Sequence, residues 1–244
     1  MTPSRAAVVL GASGSVGHAL VEELIRSGAF RMIATIVRRP QPESVRAAGE
    51  SGVALRETVL PDMAPDSVAA ATESTCRALE DEVIVGCSVL GVGANTAKLT
   101  IDQHRAVDVR LNAAFARGLK ASGRVSHLAF MSSVGADPNA STGGSGAAGS
   151  SRYLRVKGES EEAVKAAGPT VVSLFRPAMI IGSQHTPWVL EKVLPLFSFA
   201  TPGRFRSITV QQIARAMVAT SIAPPSESRI YHFPEMITVA RELP

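Results

Sequence analysis

Apolar residues in this chain fall into short continuous runs separated by longer amphipathic stretches. Val8-Val9-Leu10 ends the first run and passes directly into Gly11-Ala12-Ser13-Gly14-Ser15-Val16-Gly17. Val16, Leu20, Leu24 and Ile25 then recur at helical spacing, so a helix opens at about Ser15 and stops at Ser27-Gly28. A second strand is expected over residues 32–37, closed by Arg38-Arg39-Pro40. A weaker third covers 53–60, and Val68, Thr72, Cys76 and Leu79 mark a helix after it. Residues 82–90 are almost uninterruptedly apolar, as a parallel strand buried on both faces should be. A long helix from about 101 to 121 carries Val107, Leu111, Phe115 and Leu119 on one stripe, and a fifth strand follows over 125–131.

The pattern then changes. Residues 137–151 are nearly all Gly, Ser, Ala, Thr, Asn and Pro, too poor in apolar side chains to pack, and read as a mobile loop. A helix opens at Tyr153-Leu154-Arg155-Val156-Lys157, and a sixth strand over 170–175 ends at Arg176-Pro177. Later, Thr186-Pro187-Trp188 has the form of a capped helix start, and Thr209-x-x-Gln212 is a capping-box pattern before Ile213, Met217 and Val218. Residues 229–233 are a candidate last strand. Strand and helix alternate throughout, which predicts an α/β fold with a doubly wound parallel sheet of the Rossmann kind. The whole chain, 1–244, is expected to form one domain, with residues about 183–210 and 224–244 building a small lid on the substrate side.

The glycine turn supplies the first candidate chemistry. A helix N-terminus presents unpaired N–H groups and partial positive charge, and glycines let a backbone approach an anion closely. The usual dinucleotide spacing is G-x-G-x-x-G, whereas here the glycines fall as Gly11-x-x-Gly14-x-x-Gly17, with Ser13 at the middle-glycine position. Gly11, Ser13, Gly14, Ser15, Val16 and Gly17 are therefore expected to cradle a pyrophosphate. About 20 residues further on, where an acid would hold the ribose hydroxyl of NAD, stand Arg38 and Arg39. Guanidinium groups suit a phosphate, so the expected cofactor is NADP(H). Leu90 and Gly91, at the carboxyl end of the fourth strand, lie where open parallel sheets bind ligands.

Composition narrows the classes. With 45% hydrophobic residues among 244, the chain can build a substantial core. Its net charge of +4 is spread without a long basic run, which favours a solvated surface plus a phosphate site over nucleic-acid binding. Cys76 and Cys87 form no disulfide framework or zinc motif, and no apolar run reaches membrane-spanning length. With no leader peptide in view, a reducing cytoplasmic location is expected. His18 and His104 on helices and His127 in the fifth strand lack metal spacing and read as structural. Trp188, Phe197, Phe199 and Phe205 are equally a pocket lining or the core of the lid.

Tyr153 and Lys157, four apart on one helical face, fit carbonyl chemistry. A tyrosine hydroxyl can protonate a forming alkoxide, a neighbouring ammonium stabilises the phenolate and can reach a nicotinamide ribose, and Ser133 can donate to the same carbonyl oxygen. In order, Leu10-Gly11-Ala12-Ser13-Gly14, Val37-Arg38-Arg39, Leu90-Gly91, Met131-Ser132-Ser133-Val134-Gly135-Ala136-Asp137, Tyr153-Leu154-Arg155-Val156-Lys157-Gly158-Glu159 and Phe175-Arg176-Pro177 carry a resemblance. Over about residues 6–220 the chain resembles the short-chain dehydrogenase/reductase superfamily in its extended or atypical branch. Within that branch it is most similar to the Tat-interacting-protein type of oxidoreductase, neighbours of the NmrA-like proteins. The resemblance implies a Rossmann fold, NADP(H) binding, a Ser133–Tyr153–Lys157 site, and Pro177 against the nicotinamide carboxamide. Asp108 stands where many members have an asparagine, and Asp62 is the nearest counterpart of the aspartate that often holds the adenine.

Three activities fit these residues. The first is an NADPH-dependent reductase acting on a carbonyl or related small molecule. The second is a non-catalytic redox sensor or protein-binding module, with a protein partner or a homodimer. The third is an epimerase or dehydratase holding NAD. The intact Ser133, Tyr153 and Lys157 favour the first over the second, and the arginine pair argues against the third.

Overall fold

The computed structural model describes residues 4–81, 83–182 and 203–243. The apolar runs become strands β1 (Arg5–Leu10), β2 (Met32–Val37), β3 (Ala54–Val59), β4 (Val83–Ser88), β5 (Val125–Met131) and β6 (Val171–Phe175). Two short strands, β7 (Ile180–Ile181) and β8 (Ile208–Thr209), pair with each other, and β9 (Arg229–Tyr231) completes the large sheet. That sheet has seven strands in the order β3-β2-β1-β4-β5-β6-β9, every neighbouring pair parallel. The fold is a doubly wound Rossmann-type α/β sheet, as the alternation predicts. Strand order reverses between β1 and β4, which opens a crevice at their carboxyl ends.

Burial on both faces explains the continuous apolar runs. Along β1, Ala7 and Val9 join a core on one face while Ala6, Val8 and Leu10 join a second core on the other. The first face is covered by α1 (Ser15–Arg26), α7 (Val210–Ile222) and α8 (Phe233–Glu242), the second by α3 (Pro65–Ala78), α5 (Asn112–Ala121) and α6 (Ser151–Ala167). A short helix, α2 (Pro42–Glu50), escapes the hydrophobic pattern because only Ala48 of its nine residues is buried. The Thr209/Gln212 capping box starts α7 as expected. Among the described residues, no helix is long and apolar enough to cross a membrane.

Two expectations need correction. The helix expected as regular over 101–121 is built as α4 (Ile101–Arg105), a π-helical turn (Ala106–Leu111) and α5. Residues 224–244 were expected in a lid. Their described part instead supplies the edge strand β9 and helix α8, whose Met236, Ala240 and Leu243 pack into the core shared with α1 and α7. Residues 183–202, with Trp188, Phe197 and Phe199 and the Thr186-Pro187-Trp188 cap, lie outside the described residues. Phe205 is exposed, with the Arg204 guanidinium 4.8 Å from its ring centroid. The 137–151 segment is a series of turns tied down at several points. The Asp137 N–H donates to the Leu154 carbonyl, Arg155 donates to the Ala140 carbonyl, and Ser150 Oγ donates to the Ser145 carbonyl.

Candidate active site

Gly11 takes a left-handed φ of +90°, and a Cβ there would lie 2.6 Å from the Leu90 nitrogen. The turn therefore presses onto the end of β4 in a conformation suited to glycine. A Cβ on Gly17 would strike the Gly11 carbonyl oxygen, so that glycine lets α1 sit close behind the turn. Gly14 differs: the nearest atom to its Cβ would be 3.7 Å away, ordinary contact, and its φ of −83° suits any residue. Internal packing therefore does not require glycine at 14, whereas a ligand seated on the turn would. Gly14 is the N-cap of α1, which has no side-chain cap and no acid in its first turn. An uncapped N-terminus is the arrangement an incoming anion completes.

A cleft of about 830 Å³ opens over this turn. Gly11, Ser13, Gly14, Arg38, Leu90 and Gly91 of the expected cofactor site all line it. Asp62 does too, beside Pro61 and Met63, the latter at a φ of +46°. Ser15, Val16 and Gly17 form the first turn of α1 just behind the lining, while Arg39 is exposed at the end of β2 and lies outside it. Size, uncapped helix and guanidinium together fit a dinucleotide.

The second half of the site stands on β5, α6 and the segment after β6. Ser133 follows β5 and its hydroxyl donates to the Val134 carbonyl at 3.4 Å. The Val134 N–H in turn donates to the Pro177 carbonyl at 2.9 Å, so Ser133 and Pro177 are on adjoining segments. Ser150 caps α6 by accepting from the Tyr153 N–H, and one turn on comes Lys157. Lys157 Nζ lies 5.7 Å from the Tyr153 ring centroid. Gly158, next in sequence, sits so close to Pro138 that a Cβ would collide with it, which locks the loop onto α6.

Lys157 is bound to a carboxylate. Its Nζ donates to Asp108 Oδ1 at 2.6 Å, both residues being buried. The other oxygen, Oδ2, accepts the Val92 N–H at 3.0 Å. A Cβ built on Gly91 would lie 3.2 Å from Asp108 Oδ1 and 3.3 Å from Lys157 Nζ, so the pair lies directly behind the cleft wall. Burial opposes both charges, yet their mutual attraction wins: Asp108 is held well below the usual carboxylate range and Lys157 above the usual lysine range. The Asp108 main-chain carbonyl accepts from Asn112 Nδ2 at 2.8 Å and from Ser160 Oγ, and Ser88 Oγ donates to Asn112 Oδ1 at 2.5 Å. Arg105 and Arg155 both bond Glu159, Arg105 through two nitrogens at 2.7 and 2.6 Å. These ties fix α4 and the π turn to α6.

Sequence reasoning read His104 as structural and did not bring it to Tyr153; it is 2% exposed and stacked on that ring, with centroids 5.7 Å apart. A signal was present: His104, Asp108 and Asn112 recur every four residues, a polar stripe on a buried face that is otherwise apolar. Val107 and Leu111, on the expected helical stripe, pack with the core and also line the cleft together with Arg110. His127 is structural as expected, its Nε2 2.9 Å from Ser173 Oγ between β5 and β6.

Sheet order, glycine turn and cleft define a nucleotide-binding protein of the Rossmann class. More specifically, the chain belongs to the NAD(P)H-binding family, whose model matches residues 11–223. It is similar to the curated "Protein fmp52, mitochondrial" of Aspergillus niger (strain ATCC MYA-4892 / CBS 513.88 / FGSC A1513), with 28% identity over 191 residues, 78% of this chain and 73% of that one. A 3-oxoacyl-[acyl-carrier protein] reductase from Brucella melitensis superposes with a TM-score of 0.68 at 13% identity, covering 95% of this chain and 96% of the other. L-sorbose reductase from Gluconobacter frateurii, complexed with NADPH and L-sorbose, gives 0.63 at 15% identity, covering 96% and 97%. At these identities the two structures establish the shared fold.

Proposed function

We propose that the chain is an NADP(H)-dependent oxidoreductase of the extended or atypical short-chain dehydrogenase/reductase type, close to the Tat-interacting-protein branch, reducing a carbonyl or related small molecule. The observation that carries this reading is the position of Lys157, buried just behind Gly91 of the cleft and 5.7 Å from the Tyr153 ring. One ammonium thereby joins the nucleotide cleft to a phenol. Gly11, Ser13, Gly14 and the start of α1 would hold the pyrophosphate, Arg38 and Arg39 the ribose phosphate, and Pro177 the carboxamide side. A bound reduced nicotinamide would supply a hydride to the carbonyl carbon. Tyr153 gives its hydroxyl proton to the carbonyl oxygen, and Ser133 donates a hydrogen bond to the same atom. Lys157 orients the ribose and stabilises the phenolate left on Tyr153. Two free, buried thiols, Cys76 and Cys87, each pushed up to about 11 by burial, are inert and accord with a reducing cytoplasmic compartment.

The test is turnover of a panel of aldehydes and ketones with NADPH. Tyr153→Phe should keep NADPH affinity and lose roughly a hundredfold or more in rate, the scale of general acid catalysis. Lys157→Ala should impair both binding and rate. Full turnover by Tyr153→Phe would remove the hydroxyl from the chemistry. NADPH binding with no turnover of any carbonyl would favour the sensor reading instead.

A further inference from the structure

The reductase reading gives no work to the buried ring that stacks on Tyr153 among the described residues, His104. His104 stacks on Tyr153 at an interplanar angle of 27°, and its Nε2 lies 3.6 Å from Asp108 Oδ1, the oxygen that holds Lys157. That Nε2 is shut off from solvent and has no hydrogen-bond partner among the described residues. A buried, unpaired ring nitrogen costs free energy, so its place is worth explaining. The distance is just beyond a hydrogen bond, and a small rotation of the ring would close it without any ligand.

Resting on the reductase reading, we propose that His104 is a positioning residue, whose Nε2–H fixes the Asp108 carboxylate and through it both Lys157 and the Val92 backbone at the cleft floor. Asp108 is the hub. Oδ1 accepts from Lys157, Oδ2 accepts from Val92, and only His104 approaches Oδ1 from within the same helical stretch, one turn earlier. Without that third donor the carboxylate is held by Lys157 and Val92 alone, and the two bonds that it accepts from them are less firmly set. The donor also draws off part of the negative charge that otherwise competes with a phenolate for the ammonium.

Three substitutions separate this from simple packing. His104→Gln places an amide nitrogen where Nε2 stood and removes the ring. His104→Phe keeps the ring and removes the donor. His104→Asn keeps a donor too short to reach Asp108. Two readouts are needed: amide hydrogen exchange at Val92 without ligand, and NADPH affinity with turnover of the carbonyl panel. The proposal expects His104→Gln to match the parent in all of these. His104→Phe and His104→Asn should lose Val92 protection and about tenfold in affinity or rate, the effect of one hydrogen bond to a charged group. Packing alone predicts the reverse, a near-normal His104→Phe and an impaired His104→Gln, and that result overturns the proposal. If His104→Phe fails to fold, His104→Asn against His104→Gln decides. Val92 exchange needs no cofactor, so a protein that proves not to bind NADPH would sink the reductase reading while this readout still decides the role of His104.

Discussion

Replacing Asp108 by asparagine removes one charge from a pair that water scarcely reaches: the side chains of Asp108 and Lys157 are 1% and 6% exposed. Breaking a buried pair by deleting one partner typically costs about 3–5 kcal/mol, because the remaining ion is left uncompensated. Asparagine keeps the shape, and its oxygen can still accept from Lys157, so about 2–3 kcal/mol is expected here. In a domain of this size that lowers Tm by roughly 5–10 °C. The pH dependence gives a sharper test. Burial would raise the Asp108 carboxyl, but Lys157 and the neighbouring His104 hold it below the usual range. A depressed carboxyl contributes stability that is present above its unfolded value, about 3.9, and is lost as pH falls towards the folded one. Urea unfolding should therefore show Asp108→Asn clearly weaker than the parent at pH 7, with the gap closing below about pH 3. The apolar double variant Asp108→Leu/Lys157→Met should recover most of the loss, since neither charge remains to be desolvated. An Asp108→Asn protein within about 0.5 kcal/mol of the parent at pH 7 would refute the buried-pair account, as would a deficit that persists unchanged in acid.

Gly14→Asp should separate folding from binding. Gly14 is an N-cap at a φ of −83° with room for a Cβ, so aspartate there should leave stability unchanged or raise it, while adding a negative charge where the pyrophosphate would sit. Dinucleotide affinity should fall at least tenfold by titration, and undiminished binding would take the glycine turn out of the site. His127 sets a different pH window: burial pushes it down to about 4, so the folded chain keeps it neutral where the unfolded chain is protonated. Stability should fall as pH drops from about 6.5 to about 4, by roughly 3 kcal/mol from this residue. His127→Gln should flatten that stretch of the stability curve, and an unchanged slope would place the acid sensitivity elsewhere.

The layout of the sheet was legible because each buried strand is a mostly apolar run. The edge strand β3 was less so, since Ala54–Val59 alternates exposed and half-buried positions. Helix α2 left no stripe because it barely touches the core. Tyr153, Lys157 and the glycine turn could be read from spacing, which local geometry enforces. The pairing of Lys157 with Asp108 could not, because it spans 49 residues and depends on a π-helical turn that no hydrophobic period announces. The stacking of His104 on Tyr153 could not be read either, because the two rings stand on different helices. The candidate last strand over 229–233 is β9, but its place beside β6, where Tyr231 stacks on Phe175 with ring centroids 4.9 Å apart, could not be read from a three-residue segment.

The most direct measurement of the central claim is a fluorescence titration of the parent protein with NADPH and NADH, repeated on the Arg38→Ala/Arg39→Ala variant. Arg38 lines the cleft over the glycine turn, and Arg39 stands exposed beside it at the end of β2. Charge-assisted contacts to one extra phosphate are worth about 1.5–3 kcal/mol. The account predicts that the parent binds NADPH at least tenfold more tightly than NADH. The double variant should lose that preference by weakening NADPH while leaving NADH within about twofold, since NADH carries no ribose phosphate for the two guanidinium groups to hold. Equal affinities in the parent, or no saturable binding of either nucleotide, would contradict it.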